Sequence, residues 1–358
     1  MIKKQICMIG AGRVGRLHTT NLVQHAGERA EIVAICDPKQ ETAQKLAADF
    51  GVAHTFASLA DALDRHELDG AVITTPTFTH CTEAISALRS GLHVHLEKPM
   101  AMNLVECRKI NEAARAARRS VQLGFMRRFD DDFVAAEELL RSGEAGRPML
   151  IKSLTHGPGL PPAWANDLRT SNGILAEVNS HDLDAVSWFA AAEPVDIHVR
   201  AANFKGAERG VVTDNFYDTI VATIGYDSGA LAVVSGVCPV DYGYDSRIEV
   251  VTTNGLVQVG DTGPGGLSVI TAGSGVSRRS VYASWQTRFA DAYAREMIEF
   301  VAAMDGAPVR VGLSEGTRAV ALVLAGTLSL LENRVVPIAE VMRSDAVPSW
   351  QRTPMGTH

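Results

Sequence analysis

The first apolar run of the chain, "QICMI" (Gln5–Ile9), leads straight into "GAGRVG" (Gly10–Gly15). No other stretch limits the possible folds so strongly. Glycines spaced G-x-G-x-x-G between a strand and a helix meet three geometric needs. Gly10 permits a tight turn, Gly12 lets the backbone approach a pyrophosphate, and Gly15 lets helix and strand pack closely. The N–H groups that open the helix, around Arg13 and Val14, can then meet an anion. The hexapeptide carries weight only in context, and Asp37 supplies more of it. Asp37 closes the next apolar run, "AEIVAIC", 22 residues after Gly15. A carboxylate there accepts hydrogen bonds from the adenosine ribose hydroxyls and repels a 2′-phosphate. NAD is therefore favoured over NADP, a preference softened by the nearby Lys39.

Apolar strand-like runs then alternate with helical sequence through "DGAVITT", "HVHLEKP" and "VQLGF". This alternation predicts a doubly wound parallel sheet, a Rossmann domain over residues 1–123. After Gly124 the rhythm changes. "PMLIKSL", "VDIHVRAAN", "NFYDTIVATIGY", "GALAVVSGVC", "SRIEVVTTNG" and "LVQVG" predict strands of a large, open, mostly antiparallel sheet. Helices are expected from Asp131 to Arg141, over "ILAEVNSHDLDAVSWFA", from Trp285 to Met304 and from Ser314 to Asn333. The fold class is α/β followed by α+β, the second domain covering residues 124–340 and a tail 341–358. Gly260 to Gly275 reads as a loop or hairpin.

Composition excludes some functions. The formal charge is −7, from 34 basic and 41 acidic residues, which argues against bulk nucleic-acid binding. Cys7, Cys36, Cys81, Cys107 and Cys238 show no paired spacing and read as reduced thiols of a cytoplasmic protein. No signal peptide is visible, and Ala319–Leu331, at 13 residues, is too short to span a bilayer.

Two features carry chemistry. Lys98 of "EKP" ends a predicted parallel strand, the edge at which such sheets bind ligands. Its ammonium can hydrogen-bond a substrate hydroxyl and stabilise an alkoxide as hydride leaves. In "AEVNSHDLD", Glu177 and His181 are four apart, so a continuous helix would place them on one face. A carboxylate that orients an imidazole makes a general base; an ordinary surface ion pair is the alternative on the helix alone. His93 and His95 alternate on a strand, and Asp182 and Asp184 follow His181. No third or fourth ligand stands at a metal-binding spacing, so no metal is expected. A G-x-S-x-G nucleophile elbow is absent.

The order "GAGRVG", Asp37, "TTPTFTH", "LEKPMA", "GFMRRFD", then a carboxylate and a histidine four residues later, resembles the Gfo/Idh/MocA oxidoreductases. "GFMRRFD", "YGYD" and "WQTRFADAY" resemble the bacterial inositol 2-dehydrogenases of that family. The resemblance implies an NAD-dependent dehydrogenase of a cyclic polyol or pyranose sugar, assembled as a tetramer or dimer. Lys98 and His181 would be catalytic, with Glu177 in place of the aspartate that those enzymes pair with the histidine. Thr75, Pro76, His80 and Glu97 would join the cofactor site, and Arg127, His156 and Tyr244 the substrate site. A cis bond is expected before Pro99. Gly157 stands where inositol dehydrogenases place a substrate-contacting asparagine, and His156 where they place an arginine. The substrate is therefore open among myo-inositol, scyllo-inositol, glucose-type and anhydro sugars. A non-catalytic dinucleotide-binding regulator is the other class; it would need neither Lys98 nor His181. Of the paired arginines, Arg127 is expected to face the ligand, and Arg128 to point away and pair with Asp130 or Asp131.

Overall fold

The structure, a computed structural model, describes residues 2–211, 215–260 and 282–351. Two compact units emerge. The first is Met1–Phe129 with Asp291–Thr317, the second Asp130–Ala290 with Arg318–His358. The change of rhythm predicts one boundary, at residue 123/124. The chain instead crosses at residue 129/130 and sends a later segment back to the first unit.

The first unit alternates β1 (Lys4–Ile9), α1 (Arg13–His25), β2 (Ala30–Cys36), α2 (Gln40–Phe50), β3 (His54–Phe56), α3 (Leu59–Leu63), β4 (Gly70–Ile73), α4 (Thr77–Arg89), β5 (His93–Leu96), α5 (Leu104–Ala117) and β6 (Val121–Leu123). The strands pair in the order β3-β2-β1-β4-β5-β6, every pairing parallel. This is the doubly wound arrangement, whose strand order reverses beside β1 and opens a crevice at the carboxyl edge. Strands β4 and β5 are buried almost throughout, as parallel strands covered on both faces must be. Asn103 starts α5 by accepting the Glu106 N–H, and Ser58 starts α3 in the same way with Asp61.

The second unit holds α6 (Asp131–Ser142), β7 (Pro148–His156), α7 (Gly173–Glu177), α8 (Ser180–Ala190), β8 (Pro194–Ala202), α9 (Lys205–Glu208), β9 (Thr219–Tyr226), β10 (Leu231–Val237), β11 (Asp245–Thr252), β12 (Leu256–Val259) and α10 (Trp285–Arg288). The chain then returns to the first unit with α11 (Ala290–Met304), and α12 (Leu313–Glu332), β13 (Val336–Pro337) and α13 (Ile338–Met342) follow. Seven strands pair in the order β12-β11-β7-β10-β9-β8-β13, all antiparallel except β7 with β10. Buried and more exposed residues alternate along β9, β10 and β11, the signature of a sheet packed on one face. On α12, Gly326 brings the helix backbone close to Leu175, Ile197 and Val199.

Two expectations change. The predicted helix around Glu177 and His181 is two helices, α7 and α8, interrupted at Val178–Asn179. The helix expected from Trp285 breaks at Phe289 into α10 and α11. The run expected as a loop from Gly260 lies, from residue 261 on, outside the described residues. Among the described residues, no helix is long and apolar enough to cross a membrane.

Candidate active site

The glycine turn has the shape a dinucleotide requires. Gly10 sits at φ 97°, a left-handed conformation, and a β-carbon there would press on the Thr74 backbone at 2.9 Å. A β-carbon on Gly15 would lie 2.0 Å from the Gly10 carbonyl oxygen, so α1 can meet β1 only with glycine at that place. At Gly12 a β-carbon would meet nothing within 4 Å. Gly12 is also the N-cap of α1 and brings no side chain to the first-turn N–H groups. The open space over those N–H groups fits a pyrophosphate. Arg13 is exposed and Val14 half-buried beside it.

Asp37 is fixed next to this turn. Its Oδ2 accepts the Ala11 N–H at 2.9 Å and its Oδ1 the Lys39 N–H at 2.8 Å. Each oxygen retains a lone pair for a ribose hydroxyl. The residues present therefore fit NAD at the carboxyl edge of β1 and β2.

On the other side of the crevice, Lys98 follows β5 directly and is half-buried. The Lys98–Pro99 bond is cis, as expected. The Lys98 backbone N–H donates to Glu97 Oε2 at 3.2 Å, while Glu97 Oε1 lies 2.6 Å from His18 Nε2. Burial pushes the Glu97 carboxyl up, but the hydrogen bond from His18 and the charges of His18, His95 and Lys98 bring it below the usual carboxylate value. Gly124 opens the space that Glu97 occupies: a β-carbon there would stand 2.8 Å from Glu97 Oε2. In the sequence Gly124 marks the change of rhythm and opens "GFMRRFD", and nothing local shows that it makes room for Glu97.

His80 links two loops at this edge. Its Nδ1 lies 2.7 Å from the Pro99 carbonyl and its Nε2 2.9 Å from the Thr75 carbonyl. Both ring nitrogens are thus engaged by backbone. Burial lowers the pKa of His80, against the opposing pull of the two carbonyls. Thr75 Oγ1 accepts from Thr79, and Pro76 forms the N-cap of α4.

In the second unit, His181 and Glu177 are both half-buried. The chain bends between them because Asn179 turns inward, donating to Asp182 Oδ2 at 2.9 Å and to the Ser235 carbonyl at 3.2 Å. Gly236 of β10 leaves room for that amide, since a β-carbon there would fall 2.0 Å from Asn179 Oδ1. Asp182 is buried and also accepts the hydroxyls of Ser153 at 2.6 Å and Thr155 at 2.8 Å. Ser153 and Thr155 thus tie the first turn of α8, which carries His181, to β7, and Asn179 ties it to β10. These partners lie far apart in the sequence, and the periodicity gave no sign of them. Glu177 lines a small cavity with Ile174, Val178, Phe216, Tyr217 and Cys238.

His156 Nδ1 lies 2.6 Å from the Tyr242 hydroxyl at the end of β7. Burial lowers its pKa, and it raises that of Tyr242 to about 12. Tyr244 is buried, with its ring against Phe289 and its Cδ2 3.9 Å from where a Gly157 β-carbon would be. Arg127 and Arg128 are both buried, at 1% and 7% exposure, within a 3-10 turn over Met126–Phe129. Asp130 pairs with Arg288 at 2.9 Å and caps α6.

An acid-closed glycine turn on an open parallel sheet, with a lysine at the same edge, defines an NAD(P)-dependent oxidoreductase acting on CH–OH groups. Comparison with known proteins narrows the class. The chain belongs to the GFO/IDH/MocA oxidoreductases: the family described as "Oxidoreductase family, NAD-binding Rossmann fold" matches residues 4–125, and the GFO/IDH/MocA C-terminal domain matches residues 133–258. The inositol 2-dehydrogenase of Rhizobium meliloti (strain 1021) is 30% identical over 93% of this chain and 98% of its own. The scyllo-inositol 2-dehydrogenase (NAD(+)) of Bacillus subtilis (strain 168) is 31% identical over 82% of this chain and 84% of its own. The crystal structure of a myo-inositol dehydrogenase from Corynebacterium glutamicum superposes with a TM-score of 0.78 at 27% identity, covering 94% of this chain and 99% of that one.

Proposed function

We propose that the chain oxidises a secondary hydroxyl of a cyclic polyol, of the inositol type, to the ketone. The observation that carries this reading is Lys98, held by Glu97 at the carboxyl edge of the sheet that also bears the glycine turn. The inositol dehydrogenases among its relatives support the substrate class. NAD, when bound, supplies the nicotinamide C4 that accepts the hydride. Gly10 and Gly15 shape the turn, Gly12 with the N–H groups around Arg13 and Val14 would hold its pyrophosphate, and Asp37 would hold its ribose. Thr75, Pro76, His80 and Glu97 shape the remaining wall. His181 takes the hydroxyl proton, and Lys98 donates a hydrogen bond to the same oxygen as negative charge develops on it. Glu177 orients His181, and Arg127, His156 and Tyr244 meet the other hydroxyls. The enzyme works as a homo-oligomer, a tetramer or dimer.

Gly157 and the His156–Tyr242 hydrogen bond favour a second substrate reading, a pyranose or anhydro sugar with different stereochemistry. The test is NADH formation across myo-inositol, scyllo-inositol, glucose-type and 1,5-anhydro sugars, with NAD and NADP in parallel. Lys98→Ala should lower turnover by about a hundredfold or more while NAD affinity changes little. Unchanged turnover in that variant removes Lys98 from the mechanism. A chain that binds NAD and reduces none of it on any polyol or sugar is a regulator instead.

A further inference from the structure

Beside Glu97, which meets His18, three buried side chains from distant parts of the sequence converge. His18 comes from α1, His95 from β5 and Glu296 from α11, and all three are 0% exposed. One ligand-capable atom from each lies within 4.8 Å of those of the other two. The His18 and His95 rings meet edge to face, 4.9 Å between centroids. His18 Nδ1, His95 Nε2 and both oxygens of Glu296 have no hydrogen-bond partner among the described residues. A carboxyl buried without a partner takes up a proton unless a cation or a donor compensates its charge.

We propose that His18, His95 and Glu296 bind one divalent transition-metal ion, zinc by preference, at the heart of the first unit. Two imidazoles and a carboxylate are a ligand set of zinc and its neighbours, whereas magnesium and calcium require mostly oxygen. His18 is already arranged as a ligand. Its Nε2 faces Glu97 Oε1 at 2.6 Å, which fixes the ring and leaves Nδ1 as the other nitrogen. A carboxylate behind a histidine in this way is the usual outer support of a metal-bound imidazole. His95 Nδ1 faces the Gln122 amide at 3.5 Å, and that amide donates to the Glu296 backbone carbonyl at 2.8 Å, so Gln122 spans two of the three ligands. Tetrahedral bonds of about 2.1 Å put ligand atoms roughly 3.4 Å apart, so binding draws the three side chains in by about an ångström. The ion would tie α11 to α1 and β5, and it would enter as the unit folds, because the site is closed to solvent. No sequence spacing pointed here: the three ligands stand at residues 18, 95 and 296.

The test uses the tag-free full-length chain. Metal content after growth in zinc-supplemented medium should be close to one equivalent. Refolding in Co2+ should give a visible ligand-field spectrum, and X-ray absorption should show two imidazole nitrogens. His95→Asn and Glu296→Gln should each lose at least nine-tenths of the metal while still binding NAD. Zinc should raise the melting temperature of the wild type and of neither variant. A folded wild type with under a tenth of an equivalent and no Co2+ spectrum overturns the site. So does metal content that is unchanged in both variants. If neither variant folds, an X-ray absorption spectrum of the wild type without two imidazoles decides against it.

Discussion

Ser153 Oγ donates to Asp182 Oδ1 at 2.6 Å, one residue beyond His181. With Thr155 and Asn179 it makes Asp182 the anchor of the turn that presents the proposed general base. Asp182→Asn replaces a charged acceptor of three bonds with an amide that must turn a donor toward one of them. Urea unfolding should show a loss of about 2 kcal/mol. Turnover should fall with the KM for NAD unchanged, because His181 is displaced and the cofactor turn is not. A variant as stable and as active as the wild type would show that the anchor is dispensable.

Asp37 binds two backbone N–H groups with its two oxygens. Asp37→Asn removes the charge and leaves one of these two N–H groups facing an amide donor. The ratio of kcat/KM with NAD to that with NADP should drop by roughly tenfold, the loss of about one charged hydrogen bond. Steady-state kinetics with both cofactors measures this. An unchanged ratio would assign the preference to another residue.

Gly124 is the first residue of the arginine-rich stretch, and its missing β-carbon accommodates Glu97. Gly124→Ala should destabilise the chain by about 1–3 kcal/mol through overpacking. Gly255 is the control: a β-carbon there meets nothing within 4 Å, so Gly255→Ala should stay within about 0.5 kcal/mol of the wild type. Equal stability of the two variants would contradict the packing argument.

His156 is held neutral by burial, its folded pKa below the ordinary histidine value. The unfolded chain therefore binds this proton first as pH falls. The stability His156 contributes is full above about pH 6.5 and is lost as pH drops through its folded pKa. His156→Gln should flatten the fall in melting temperature over that acid range. A slope equal to that of the wild type would place the sensitivity elsewhere.

Much of the first unit was legible because its signals are local. Glycine spacing, an acid at a strand end and alternating runs act over a few residues, and they led to β1, α1, Asp37 and Lys98. The strands of the second sheet were legible from alternation. The break between Glu177 and His181 was not, because it arises from Asn179 reaching Ser235 and Asp182 across the unit. Nor was the burial of Arg128, since charge in a sequence reads as surface. The convergence of His18, His95 and Glu296 is likewise a product of tertiary contact.

The return of α11 to the first unit has a consequence for biosynthesis. Met297, Phe300, Val301 and Met304 pack in one core with Ile6, Met8, Leu22 and Val72. A nascent chain that has emerged only as far as Phe129 has every strand of the parallel sheet and lacks the residues that close its core. The cofactor domain must wait on the ribosome until the other unit has been made, exposing apolar surface to chaperones for most of translation.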